Sequence, residues 1–195
     1  IVQHSRAKTT PTKSHNDRTA RLRKQVLSPE RHLAAFDLEN TLIASNVVES
    51  YSFLATRRLN MPERIRYVVR TLAEAPTLSS IDRKDRADFL RFFYRRYDGA
   101  PLQQIEEDSA EMFTRLILSK SFPEAIRRVR EHKAAGHRTV LITGALDFVV
   151  KPLMPLFDDI IAAEMSVTNG RYDGELRNVP PTGETRAQVL RDYAA

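Results

Sequence analysis

Apolar positions fall into two kinds of run along this chain of 195 residues. Short unbroken blocks read as buried strands: Leu33-Ala34-Ala35-Phe36, Thr139-Val140-Leu141-Ile142, and Asp158 to Ala163 with Ile160 and Ile161 at its centre. Between the first two blocks the pattern changes to helical spacing. Val47, Tyr51 and Leu54 predict a helix from Asn46 to about Leu59, and Pro62 opens a second with Ile65, Val68, Val69 and Leu72 as its apolar face and Pro76 as its stop. A third is expected from about Ile81 to Tyr97, with Phe89, Phe92 and Phe93 on one side, and a fourth from Pro101 carrying Ile105, Met112, Phe113 and Leu116. No alternating pattern interrupts residues 46–119, so they read as a helical insertion.

After the insertion, Phe122-Pro123-Glu124 starts an amphipathic helix that Gly136 stops, directly before the second strand. A helix from about Asp147 to Leu156 leads to the third strand. Asn169-Gly170, between Glu164 to Thr168 and Arg171 to Leu176, predicts a β-hairpin, because both turn residues of the favoured type need positive φ. Glu184 to Tyr193 closes the chain as a helix. Helices alternating with short apolar strands imply an α/β fold with a parallel sheet.

The chemistry stands where the strands end. In a parallel sheet the carboxyl ends of the strands face the ligand crevice, so Asp37 and Glu39, two residues apart after Phe36, enter a pocket side by side. One carboxylate there can attack phosphorus, and the other can move the proton of the departing or entering oxygen. The competing reading is a polar turn that merely closes the strand. The second strand ends at Thr143-Gly144-Ala145, where a hydroxyl and main-chain amides are suited to phosphate oxygens.

Charge changes the picture only at the amino end. Residues 1–31 hold eight Lys or Arg against Asp17 and Glu30, and this surplus equals the net charge of +6; the remaining residues balance. This basic tail reads as a solvated linker, with contact to nucleic acid or an anionic membrane as the alternative. The chain has no cysteine, which excludes disulfides and thiolate metal sites. It also lacks a membrane-spanning apolar run and a secretory leader, so a cytoplasmic protein is expected. His4, His15, His32, His132 and His137 show no metal-binding spacing, and neither a nucleophile elbow nor a glycine-rich nucleotide loop occurs. Because the chain starts at Ile1, it reads as a piece of a longer protein.

Asp37-Leu38-Glu39-Asn40-Thr41, then Leu141-Ile142-Thr143-Gly144, then the hairpin and Arg186 follow in an order that resembles the haloacid dehalogenase-like superfamily, in its phosphoserine phosphatase-like subfamily. The similarity runs from 32 to 193. It implies a Rossmann-like core at 32–45 and 120–195, a helical cap at 46–119, and the tail at 1–31. The same resemblance implies a small phosphorylated substrate and a magnesium-dependent phosphomonoesterase in which Asp37 forms an aspartyl-phosphate and Glu39 is the acid and base. Magnesium would be held by the Asp37 carboxylate and the Glu39 main-chain carbonyl. Asn40, Thr41, Thr143, Gly144 and Arg186 would bind the phosphoryl group, and Glu49 and Arg91 would meet the substrate from the cap.

Three departures stand out. Glu39 occupies the place of a second Asp, Arg186 that of the usual Lys, and the fourth acidic motif is absent, so the core is expected to be incomplete at its carboxyl end. Similar domains sit beside acyl-CoA reductase or acyltransferase modules, so other domains of a parent chain are expected partners. The alternative function is a catalytically degraded module that acts there as scaffold or regulator.

Overall fold

The computed structural model describes residues 20–21, 24–28 and 30–195, with the backbone alone at Glu184. Most of the basic tail, and with it the linker and nucleic-acid or membrane readings, lies outside the described residues. Three parallel strands form the core in the order β1 (Leu33–Phe36), β2 (Arg138–Leu146), β3 (Asp159–Ala163). Phe36 of β1 stands opposite Leu141 of β2, and Leu141 opposite Ile160 of β3, so the three apolar blocks are in register as one sheet. The fold is α/β with a parallel sheet, as the pattern predicts.

Four α-helices follow β1: α1 (Val47–Thr56), α2 (Met61–Lys84), α3 (Arg86–Tyr94) and α4 (Leu102–Met112), the last continuing as a π-turn over Phe113–Ile117. Next come α5 (Pro123–Ala134), a short α6 (Asp147–Val150), the hairpin β4 (Met165–Thr168) and β5 (Arg171–Leu176), and α7 (Gly183–Ala194). Asn169 and Gly170 take φ of 51° and 73°, as the hairpin turn requires. No helix among the described residues is long and apolar enough to cross a membrane.

Two helix boundaries differ from expectation. Pro76 does not stop α2, which runs on to Lys84; the proline is solvent-facing, and the helix is held by an Asn60–Glu63 capping box at one end and Asp85 at the other. Asp85 then caps α3, its side chain accepting from the Asp88 amide, so the break falls at an N-cap rather than at the proline. The expected apolar face of α2 also points the wrong way. Ile65, Val68, Val69 and Leu72 face solvent, while Leu78 is buried and Tyr67, Thr71 and Glu74 face inward. Polar anchoring decides this orientation: the Tyr67 hydroxyl meets that of Ser52 at 2.9 Å, and Glu74 pairs with Arg96 at 2.5 Å. Phe92 is likewise exposed while Phe89 and Phe93, one turn apart, stack in the core with centroids 5.5 Å apart.

Tyr51, Phe93, Tyr97, Phe148 and Tyr172 extend that stack, edge to face except for the tilted Phe148–Tyr172 pair, tying the helical segment to the sheet and the hairpin. Burial pushes the Tyr94 and Tyr97 hydroxyls well above the ordinary phenol value, so both act as neutral groups.

Candidate active site

The chain turns sharply after β1. Leu38 is fully buried, its carbonyl accepts from the amides of Leu42 and Ile43, and Asn40 adopts φ of 56°, a left-handed conformation that asparagine tolerates better than most residues. With Leu38 fixed inward, Asp37 and Glu39 both reach a cleft of about 790 Å³ on the other side. Asn40 and Glu49 line the same cleft. So does Arg186 from the first turns of α7, which the buried loop Pro180 to Thr182 delivers beneath the tip of β1. Arg186 Nη1 donates to Asp37 Oδ2 at 2.6 Å, and Asp37 Oδ1 accepts the Leu38 amide at 2.7 Å. Residues 149 positions apart in sequence thus meet at one carboxylate.

The far wall of the cleft comes from the helices, with Thr71, Ala75, Leu78, Ser79 and Asp82 of α2 and Arg86 and Phe89 of α3. Arg86 spans the gap: Nη2 donates to Glu39 at 2.7 Å and Nη1 to Asp82 at 2.9 Å. Burial lifts the Glu39 carboxyl above the ordinary glutamate value of 4.5, with the neighbouring Asp37 adding to the lift and Arg86 opposing it. Two carboxylates side by side, Asp37 paired with Arg186 and the half-buried Glu39 paired with Arg86 and shifted upward, can divide the roles of nucleophile and acid. Arg86 was not singled out in the sequence. The signal was present, because 86, 89, 90 and 93 form one helical face and a guanidinium among Phe89, Leu90 and Phe93 is out of place there.

Four expected residues lie away from the cleft. Thr41 is exposed on the turn. Thr143, only 1% exposed, accepts the Ala145 amide at 3.1 Å, in the stretch of β2 where the pairing with β3 is irregular between Ile142 and Leu146. Gly144 lies under α3: a Cβ there would stand 2.6 Å from Leu90 Cδ1, and its carbonyl accepts the Tyr94 hydroxyl at 2.8 Å. Close packing, rather than an open amide, accounts for this glycine. Arg91 turns outward and pairs with Asp88 at 2.9 Å. Glu49, although at the cleft, is already engaged by the Lys120 ammonium and by the Ser45 hydroxyl at 2.8 Å.

For a divalent ion, the cleft offers hard oxygen donors from Asp37 and the following turn, and the described residues contain no cluster of three His, Cys, Asp or Glu. Magnesium fits such a set, since it keeps most of its waters and takes one or two carboxylates together with substrate oxygens.

The family model for haloacid dehalogenase-like hydrolases matches residues 34–195. The chain belongs to this family. A histidinol-phosphatase from Neisseria meningitidis serogroup C (strain 8013) is 23% identical over 178 residues, covering 85% of this chain and 75% of that protein. Among solved structures, a protein of unknown function from Bordetella pertussis Tohama I superposes with a TM-score of 0.69 at 20% identity, over 84% of this chain and 74% of that one. A phosphoserine phosphatase carrying a phospho-aspartyl intermediate analogue gives 0.58 at 17% identity, over 84% and 71%. These likenesses establish the shared fold, a parallel-sheet core with a helical cap, and the chain is a hydrolase of that family.

Proposed function

We propose that this hydrolase cleaves small phosphomonoesters through an aspartyl-phosphate on Asp37. The observation that carries the reading is the convergence of Asp37, Glu39 and Arg186 on one cleft. Asp37 attacks phosphorus as the bond to the ester oxygen breaks, and Glu39, whose pKa is raised by burial, is the group placed to protonate that oxygen as it leaves. Glu39, now a carboxylate, takes a proton from the water that attacks the phosphoenzyme, which releases phosphate and restores Asp37. Arg186 transfers its Nη1 hydrogen bond from Asp37 to the phosphoryl oxygens, for which its planar fork is suited. Asn40, which lines the same cleft, is a further candidate for the phosphoryl oxygens.

Magnesium, when bound by the Asp37 carboxylate and the Glu39 main-chain carbonyl, offsets the charge on the transferring oxygens. In this reading the helical segment at 46–119 is the cap that covers the site, and residues 32–45 and 120–195 are the core. Arg86 contacts Glu39 as well as Asp82, so the cap and the proton donor are joined directly.

Phosphoserine and histidinol phosphate, the substrates named for the relatives, are the first two to test. An amino-acid subsite is poorly supported: Lys120 already neutralises Glu49, and Arg91 faces Asp88. The relatives described above lend no support to a degraded scaffold within an acyltransferase or acyl-CoA reductase. The deciding experiment measures release of phosphate from p-nitrophenyl phosphate, phosphoserine and histidinol phosphate with magnesium. Turnover by the wild type that is lost in Asp37→Asn, together with borohydride trapping of an acyl phosphate at Asp37, supports the proposal. Turnover that survives Asp37→Asn refutes it.

A further inference from the structure

The outward stripe of α2 has no use in the hydrolase reading. Met61, Ile65, Val68, Val69 and Leu72 lie on one side of the helix, each between 50% and 68% exposed. They stand opposite the side that carries Tyr67, Thr71, Glu74 and Leu78 inward. On a wheel of about 100° per residue, Arg64 flanks the stripe on one side and Arg66 and Arg70 on the other.

The acidic residues of the same half of the helix already have partners, Glu63 on the exposed cap and Glu74 on the half-buried side. Glu63 accepts the Asn60 amide at 3.0 Å, and Glu74 takes Arg70 at 2.9 Å and Arg96 at 2.5 Å. Arg64 donates only to the main-chain carbonyls of Thr56 and Arg57, and Arg66 has no carboxylate partner among the described residues. At the amino end of the stripe Arg64 joins Arg57, Arg58 and Arg115 around a recess of about 630 Å³. Two of these share Asp108 and two share Glu111, which leaves four guanidiniums against two carboxylates.

Charge selects the occupant. Two copies paired through the stripe about a two-fold axis would set an arginine flank against an arginine flank, whether the helices ran parallel or antiparallel, and that juxtaposition is repulsive. An apolar stripe flanked by Arg64 on one side and Arg66 on the other, neither with a carboxylate partner among the described residues, is complementary to a surface that is apolar below and anionic at its rim. We propose that this face of α2 docks on an anionic lipid bilayer, with the aliphatic side chains at the headgroup–acyl boundary and Arg64, Arg66 and the arginine recess on the lipid phosphates. The helix lies on the bilayer and does not cross it. Thr71, Ala75 and Ser79 of the same helix line the cleft, so docking holds the cleft beside the lipid surface.

The test uses the full chain, basic tail included, with phosphatidylcholine vesicles containing about one-third phosphatidylglycerol, and with pure phosphatidylcholine as control. Wild-type protein is expected to cosediment with the anionic vesicles and to be released by salt. Partitioning should fall at least about tenfold in Ile65→Asp/Leu72→Asp and in Arg64→Glu/Arg66→Glu, whose altered side chains are solvent-exposed and leave the circular dichroism melt in place. The chain has no tryptophan, so Val69→Trp is a single probe whose emission should shift to the blue with anionic vesicles only. Full binding by the Ile65→Asp/Leu72→Asp variant would assign the affinity to the tail and overturn the proposal. So would an unshifted Val69→Trp spectrum, or a dimer in light scattering that the same aspartates dissolve.

Discussion

Asp37 is positioned twice over, by the Leu38 amide on one oxygen and by Arg186 on the other. A side chain so held gives up little orientational freedom when it reacts. Asp37→Asn is therefore expected to abolish turnover, while Glu39→Gln should lower kcat by about 10²–10⁴-fold. The Glu39→Gln loss should be greatest for alkyl phosphates and least for p-nitrophenyl phosphate, whose leaving group hardly needs a proton; a kcat series across leaving groups checks this. A second residue-scale prediction concerns the buried His132. Its Nδ1 lies 2.8 Å from Nδ1 of His137, whose Nε2 lies 2.9 Å from the Ser28 carbonyl. Neutral imidazoles satisfy all three atoms when His137 donates to Ser28 and His132 donates to His137. Burial and His137, with Arg128 and Arg31 nearby, hold the His132 pKa below 6.5, against a smaller opposing effect of Glu131. The neutral form is thus favoured in the folded state, and its contribution is full above about pH 6.5 and lost as the pH falls through the lowered folded value. Urea midpoints should decline on acidification across that window, and His132→Gln should flatten that decline.

At the scale of the element, α2 shows how far polar anchors override a hydrophobic pattern. Its apolar residues follow a helical period faithfully, yet Tyr67 and Glu74 fix the opposite face inward. Another element-scale constraint is the packing of the hairpin on the single turn at Arg95–Tyr97. Gly174 of β5 has φ of 73°, and a Cβ there would approach the Arg95 Cα to 2.9 Å and its carbonyl oxygen to 3.0 Å. Both the left-handed backbone and the nearby main chain exclude a side chain. Gly174→Ala should cost about 1–3 kcal/mol, read as a lower urea midpoint with unchanged slope. Gly170, at φ of 73° but with nothing within 4 Å, should lose only the backbone term on the same substitution.

Across the whole molecule, the helices between β1 and β2 meet the turn after β1 through Arg86, which holds Glu39 and Asp82 at once. Arg86→Ala leaves a buried carboxyl without its partner and frees its orientation. We expect kcat/KM to drop about 100-fold, with kcat carrying most of the loss, and Arg86→Lys to recover only part of it because an ammonium cannot bridge both acids with the same fork. A loss confined to KM would show that Arg86 only binds substrate. Magnesium titration offers an independent reading: turnover should vanish on chelation and return on adding the ion back.

What the sequence determined is what depends on neighbours along the chain. Unbroken apolar blocks specify the three strands, Asn169-Gly170 specifies a hairpin, and the i, i+2 carboxylates after Phe36 specify two acids delivered to a strand tip, because alternation about the buried Leu38 leaves them no other side. Tertiary structure decided everything that depends on which surfaces meet. The meeting of Arg186 with Asp37 and of Arg86 with Glu39 joins residues 149 and 47 positions apart, a distance over which periodicity carries no information. Leu90 and Tyr94 closed over Gly144, and polar contacts turned the apolar stripe of α2 to solvent. Local pattern fixes which residues can share a face; only the packed chain fixes what that face looks upon.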